Sequence, residues 1–305
     1  MKLQTENTRL QRGVAVHHSA VWLLLKAMRP KQWTKNMVVF AGIIFSQKIF
    51  TEAYVLKTAF AFAIFCVLSG SVYIVNDIVD IDKDRAHPHK RYRPLASGQL
   101  SASLAAGFAV FTTLASLGGA FWLNLSFGLS AVAYFALTTA YSLKLKNVVI
   151  IDVLAIAIGF VLRAVAGAAA IAVSISPWLL VCTFLLALFL ALTKRRHELL
   201  LLENNAFLHR KILDEYSPAM LGQMISVVTS STVMAYSLYT FTSGHSQYLM
   251  GTIPFVIYGV FRYLYLVDQK NMGGSPESAL FKDYPMAVNI ILWGISCSLI
   301  LYYFK

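Results

Sequence analysis

The chain has 305 residues, of which 58% are apolar and 13% charged, with a mean hydropathy of +0.64 and a formal net charge of +12. This balance excludes an ordinary soluble domain and predicts an all-α integral membrane protein, because open sheets leave backbone groups unsatisfied in lipid. The surplus Lys and Arg fall in loops between apolar runs, a signature of membrane topology rather than of a nucleic-acid surface.

The N-terminal stretch MKLQTENTRLQRG is polar and has no apolar core of signal-peptide type. Residues 1–28 are therefore expected to form a polar segment with a short interfacial helix, and residues 29–305 a single transmembrane domain, since no linker of domain size separates its apolar windows. Windows of roughly 18–23 residues span ~30 Å of hydrocarbon at ~1.5 Å per residue. They place nine helices at about 36–50, 55–76, 102–123, 125–142, 150–172, 177–193, 219–241, 249–267 and 286–303, the first short for a span. Cys66, Cys182 and Cys297 each fall inside a predicted span and read as small buried apolar residues.

With the N-terminus in the cytoplasm, the inner loops carry Lys26, Arg29, Lys31, Lys35, Lys83 through Arg93, Lys144, Lys146, Lys194 to Arg196, Arg210, Lys211, Lys270 and Lys282. The outer face has little beyond Lys48, Lys57 and Lys305, as the positive-inside rule requires. Acids, tyrosines and asparagine gather on the same inner face, which predicts work at a water-facing cavity on the cytoplasmic side.

The segment NDIVDIDKDRAHPHKRYRP, residues 76–94, holds four of the fourteen acidic residues. If the second helix continues through it, Asp77, Asp80 and Asp84 share an arc of about 60°, with Tyr73 and Asn76 just before them and Asp82 on the other side. Like charges so placed call for a cation between them, and an oxygen-only donor set suits Mg²⁺ with phosphates completing its shell. A calcium loop fails, because Arg85 stands where it needs Gly and Arg91 where it needs Glu. A solvated helix end bearing ordinary surface acids is the plainer alternative. His87, His89, Lys90, Arg91 and Arg93 follow, cations suited to the charge of a metal-bound diphosphate. Asp80 and Asp84 are the leading metal ligands, supported by Asn76 and Asp77, and the three aspartates are the expected catalytic acids.

Further along, Tyr141 and Lys144 lie three residues apart at the inner end of the fourth helix, either as ligands or as an interface anchor. Arg163 lies about three turns into the fifth helix, where a guanidinium needs an anion, water or a carboxylate such as Asp152. Arg262 lies nearer the inner end of its helix and can snorkel. Lys31 is a candidate phosphate ligand ahead of the first span, on the same face as Lys35. GGSPE at 273–277 reads as an inner loop able to cover the site, although such residues also suit an ordinary turn.

In that setting the NDxxDxxxD pattern at Asn76, Asp77, Asp80 and Asp84 resembles the first aspartate-rich motif of the UbiA-type intramembrane prenyltransferases, and the resemblance covers nearly the whole chain. It implies nine helices around a central cavity, Mg²⁺ on the aspartates and a lateral opening for a lipid chain. RPKQWTKN at 29–36, DIDKDRAHPHKRYRPLASG at 80–98, YSLKLKNVVIIDVLAIAIGFVLRAVAG at 141–167 and RYLYLVDQKNMGGSPE at 262–277 are similar to the decaprenyl-phosphate phosphoribosyltransferase branch. That branch transfers phosphoribose from 5-phosphoribosyl 1-diphosphate to a polyprenyl phosphate, for synthesis of a cell-envelope arabinose donor. The second aspartate motif of the aromatic prenyltransferases is missing here. Lys194, Arg195 and Arg196 stand in its place, as ligands of an added anion or as topology anchors.

The resemblance thus implies a bacterial inner-membrane enzyme with its site facing the cytoplasm, and it leaves a homo-oligomer open. One rival is a true prenyltransferase acting on an aromatic acceptor. Another is an ion-coupled transporter, which acids confined to one face disfavour.

Overall fold

The computed structural model describes residues 19–202, 211–242, 246–270, 272–274, 279 and 282–304, and among these every regular element is helical. The expectations for residues 1–18, for Arg210 and for residues 275–277 of the GGSPE loop lie outside the described residues. Helix α1 (Ala20–Ala27) begins at Ser19, whose side chain accepts from the Trp22 amide at 3.3 Å. It buries Leu23, Leu24 and Ala27 in a cluster with Ile74, Leu95 and Ala105.

The first predicted span needs correction. Instead of a helix over 36–50, Pro30–Phe40 winds as a 3₁₀ helix, Ala41–Phe45 forms α2, and the chain turns away at Gln47 with φ 58°. A 3₁₀ helix rises ~2.0 Å per residue, so eleven such residues and five α-helical ones reach ~30 Å, the hydrocarbon thickness. The longer rise of the 3₁₀ winding gives a short segment the reach of a full span.

Helix α3 (Glu52–Val79) has 28 residues, ~42 Å, longer than the ~30 Å of hydrocarbon, with Asn76 and Asp77 in its last turn. It breaks at Asp80 and resumes as α4 (Ile81–Ala86). Helices α5 (Ala102–Leu123) and α6 (Leu125–Leu143) meet at Asn124, whose carboxamide accepts from the Phe127 amide at 2.8 Å and donates to the Ala169 carbonyl at 3.0 Å. One residue turns that corner and ties it to α7 (Ile151–Ala170). Then come α8 (Pro177–Leu202), α9 (Pro218–Thr242), α10 (Ile253–Lys270) and α11 (Tyr284–Tyr303).

Among the described residues, seven helical segments are long and apolar enough to cross a membrane, and they correspond to α3, α5, α6, α7, α8, α10 with the turn before it, and α11. Helix α9 has the length predicted for it, but Ser226, Thr229, Ser230 and Thr232 dilute its apolar character.

Polar contacts sort the helix ends into two groups. Arg29 meets Asp77, Lys146 meets Asp80, Arg195 and Tyr216 meet Asp152, and Arg196 meets Asp268 at one end. At the other, the Gln47 side chain donates to the Leu301 carbonyl, Asn124 holds Ala169, and Tyr236 reaches Thr252. Each long helix runs from one group to the other. The core is knit where small residues let backbones touch: a Cβ on Gly167 would lie 1.9 Å from the Val39 carbonyl oxygen, and one on Gly42 2.8 Å from the Ala168 backbone.

Candidate active site

Cys66, Ser69, Tyr73 and Asp77 recur at helical spacing on α3, so a polar face about 80° wide runs toward the charged end. Asp77, buried at 3% side-chain exposure, accepts from Arg29 and, at 3.1 Å, from Arg93. The same Arg93 Nη1 donates to Asp84 Oδ2 at 2.6 Å, so one guanidinium bridges the two buried carboxylates. Arg29 has a left-handed backbone, φ 54°, costing a non-glycine residue about 1–2 kcal/mol. Its guanidinium lies 5.0 Å from the Tyr73 ring centre.

Asp80 turns toward another cation. Lys146 Nζ lies 2.6 Å from its Oδ2 and 3.4 Å from Asn76 Oδ1. Burial alone would raise this carboxyl, but the Lys146 hydrogen bond and charge, with Lys83 behind them, hold it below the usual carboxylate range. Asp82 points to solvent, 88% exposed, paired only with Arg85 at 3.3 Å. In the loop that follows, His87 Nδ1 accepts from the His89 and Lys90 amides at 3.2 and 3.3 Å. Partial burial, then the Lys90 charge, lowers the His87 pKa.

Among the described residues no three His, Cys, Asp or Glu converge closely enough to hold a metal ion by themselves, so the aspartates do not form a three-carboxylate cage. The donor set still fits a hard cation that brings other ligands with it. Asp80 Oδ1 is buried without a hydrogen-bond partner, with Lys83 Nζ at 3.6 Å, and Asn76 Oδ1 shares Lys146 with the other Asp80 oxygen. All these donors are oxygen, the class Mg²⁺ takes, usually with phosphate and water completing its shell.

A second network lies beside the first. Arg195, 3% exposed, donates to Asp152 at 2.7 Å, to Glu198 at 2.6 Å and to the Tyr141 hydroxyl at 3.3 Å. Tyr216 donates to the other Asp152 oxygen at 2.8 Å and accepts from the Ile150 amide. Arg195 and Tyr141, expected as substrate ligands, thus close a buried knot among α6, α7, α8 and the turn before α9. Arg196 pairs with Asp268 beside a cavity of about 390 Å³ that Ser226, Thr229 and Ser230 also line. Lys194 is half-buried on the same helix.

Arg163 lies deeper. Its Nε donates to Asn36 Oδ1 at 2.8 Å, Nη2 to the Tyr134 hydroxyl at 2.7 Å and Nη1 to the Gly159 carbonyl at 3.0 Å. Of the alternatives open to Arg163, pairing with Asp152 does not occur, and Arg195 holds that carboxylate. Arg262 meets Asp283 through two hydrogen bonds of 3.0 and 2.8 Å.

The structure therefore brings Tyr73, Asn76, Asp77, Asp80, Asp84 and Arg93 together, with Lys90 half-buried in the adjoining loop. Lys31 and Lys144 are exposed, and their neighbours Arg29 and Lys146 reach the aspartates instead. Sequence reasoning counted those two only as topology charges. Nothing local in the sequence distinguishes Lys146 from Lys144, whereas RP at 29–30 does mark a backbone constrained just before the first span.

Comparison with known proteins adds an independent line. The model of the UbiA prenyltransferase family matches residues 36–283. A decaprenyl-phosphate phosphoribosyltransferase of Corynebacterium glutamicum is 35% identical over 280 residues, covering 88% of this chain and 84% of its own. One of Mycolicibacterium smegmatis is 32% identical over 88% of this chain and 89% of its own. Among solved structures, a UbiA homologue from Archaeoglobus fulgidus bound to DMAPP and Mg²⁺ superposes with a TM-score of 0.70 at 17% identity, covering 92% of this chain and 99% of that one.

Proposed function

Because the chain belongs to the UbiA prenyltransferase family, we propose that it is the transferase that moves 5-phosphoribose from 5-phosphoribosyl 1-diphosphate to a polyprenyl phosphate of decaprenyl type. The observation that carries this reading is the likeness, over 88% of the chain, to relatives bearing that activity in their names. The working arrangement is a single domain of nine crossings from residue 29, counting α9 and the 3₁₀ segment. Helix α1 lies along the interface, and the charged end faces the cytoplasm of a bacterial inner membrane.

In this reading Arg29, Arg93 and Lys146 serve two partners in turn. Without substrate they neutralise the aspartates; with it they take up phosphate oxygens of the diphosphate, contacts worth roughly 1.5–3 kcal/mol each. Asn76, Asp80 and Asp84 would hold Mg²⁺, which supplies charge stabilisation for the departing diphosphate. A phosphate oxygen of the lipid bonds to the anomeric carbon as the bond from that carbon to the diphosphate breaks. The acceptor is already an anion, so no side chain need remove a proton. Asp77 orients Arg29 and Arg93, and Lys90 adds positive charge at the loop. The product is a polyprenyl-phosphoryl phosphoribose, a precursor for cell-envelope arabinose transfer.

Membranes containing the protein, given radiolabelled phosphoribosyl diphosphate and polyprenyl phosphate, should move label into the lipid phase, and a chelator should stop it. Label that stays in water overturns the reading. The second reading, prenyl transfer to an aromatic acceptor, is favoured by the likeness to a fold that binds DMAPP with Mg²⁺; it predicts label transfer from a prenyl diphosphate instead.

A further inference from the structure

Arg163 is buried at 6% exposure within the bundle, yet all three acceptors it reaches, Asn36, Tyr134 and the Gly159 carbonyl, are neutral. No carboxylate pairs with it among the described residues, and these bonds use only three of its five N–H groups. A guanidinium taken from water without a counter-ion is strongly disfavoured, and in membrane proteins such a charge faces an anion or a polar cavity. The rings of Tyr134 and Phe160, 4.7 and 5.0 Å from its central carbon, soften the charge without cancelling it.

Its position relative to the aspartates is fixed through Asn36. That residue accepts from Arg163 and donates to Ser69 at 3.1 Å, and Ser69 stands on the polar face of α3 that leads to Asp77. The eight residues from Ser69 to Asp77 amount to ~12 Å of helix. Two regions able to receive anions therefore lie along one face: cations beside the aspartates, and a guanidinium about two turns deeper whose polar neighbours are neutral. A prenyl chain in that depth would set hydrocarbon against an uncompensated charge. A pentose with a phosphate at each end places charge at both levels.

We infer that Arg163, held by Asn36 and Tyr134, forms a deep subsite for the 5-phosphate of the sugar donor and so selects a 5-phosphorylated pentose. This rests on the transfer proposed above and assigns each end of the donor a place: diphosphate beside Asp80 and Asp84, monophosphate at Arg163.

The test compares two donors, phosphoribosyl diphosphate and ribosyl 1-diphosphate lacking the 5-phosphate, in membranes with polyprenyl phosphate. The parent protein should prefer the first by about a hundredfold in kcat/KM, the scale of one or two charge-assisted contacts. Arg163→Gln should bring the two donors within about fivefold, the loss falling on the phosphorylated one alone. Arg163→Lys, which keeps the buried charge and guards against a variant that fails to fold, should narrow the preference about tenfold by raising KM for the phosphorylated donor. An equal loss on both donors in both variants would make Arg163 a structural tie and overturn the subsite. If the parent protein uses both donors equally, the transfer stands and the subsite falls; if it uses neither, the proposed function itself fails.

Discussion

At the scale of single residues, the site is a set of carboxylates whose cations are built into the protein. Asp80→Ala and Asp84→Ala should each lower transfer roughly 10- to 100-fold or more, because each removes a proposed metal ligand and strands a base, Lys146 or Arg93. Asp82→Ala, which loses only an exposed pair with Arg85, should stay within about twofold. Lys146→Ala should raise KM for the sugar diphosphate about tenfold while Lys144→Ala leaves it unchanged; steady-state assays on the five variants decide, and equal losses at residues 80, 82 and 84 would sink the assignment. The loop carries its own pH dependence. His87 is lowered in the folded protein, so between its folded pKa and the unfolded value of about 6.5 the unfolded chain binds the proton more readily. The bonds from the His89 and Lys90 amides to Nδ1 are therefore fully present above about 6.5 and weaken as pH falls below it. Hydrogen-exchange protection of those two amides should drop across that window, and His87→Asn, which keeps an acceptor but does not titrate, should remove the drop. The bridged pair Asp77 and Asp84 and the outward Asp82 follow the helical spacing, a local property, but the helix breaks at Asp80, which leaves the shared face and turns to Lys146. Their cations were not legible, since Arg29 and Lys146 lie 48 and 66 residues from the acids they meet, and no local pattern encodes those separations.

At the scale of elements, the apolar windows located the helices well because length and hydropathy are what the bilayer selects. They failed on the first span, where the winding and not the composition sets the reach. The 3₁₀ rod owes its close seat to Gly167, whose absent side chain leaves room for the Val39 carbonyl. Gly167→Ala would place a carbon 1.9 Å from that oxygen, and neither backbone can give way cheaply. The two segments must part, at about 1–3 kcal/mol or more, and Asn36 moves with them, away from Ser69 and Arg163. Thermal unfolding in detergent should fall by several degrees in Gly167→Ala. Gly107→Ala, in open space on α5, should leave it unchanged or slightly raised. An unchanged midpoint in Gly167→Ala would mean that the rod does not lie against α7.

At the scale of the whole molecule, the question is how many helices cross. Seven segments qualify by length and apolarity, and the sorted ends argue for two more. Tyr216, just before α9, is hydrogen-bonded to Asp152 at the charged end, whereas Tyr236 near its far end meets Thr252 at the other. A helix of 25 residues, ~38 Å, between those points is long enough to cross, as the proposed arrangement has it, hydroxyl groups notwithstanding. The same holds for the segment from Arg29, at Asp77, to Gln47, at Leu301. Hydroxyls on a crossing helix are tolerated because they bond back to their own carbonyls, as Ser226, Thr229 and Ser230 do. The bases crowd the charged end, and on the positive-inside rule the proposed orientation puts that end in the cytoplasm. Single cysteines at Ser97, Asn147 and Asp214, in a background with Cys66, Cys182 and Cys297 replaced, should react with an impermeant reagent only when the cytoplasmic face is opened. Cysteines at Lys48, Ser174, Tyr248 and Phe304 should react in intact cells. The pair Asp214 and Tyr248 brackets α9 and decides its crossing: labelling of both from one side would put α9 along the membrane surface and would separate Tyr216 from the knot around Asp152.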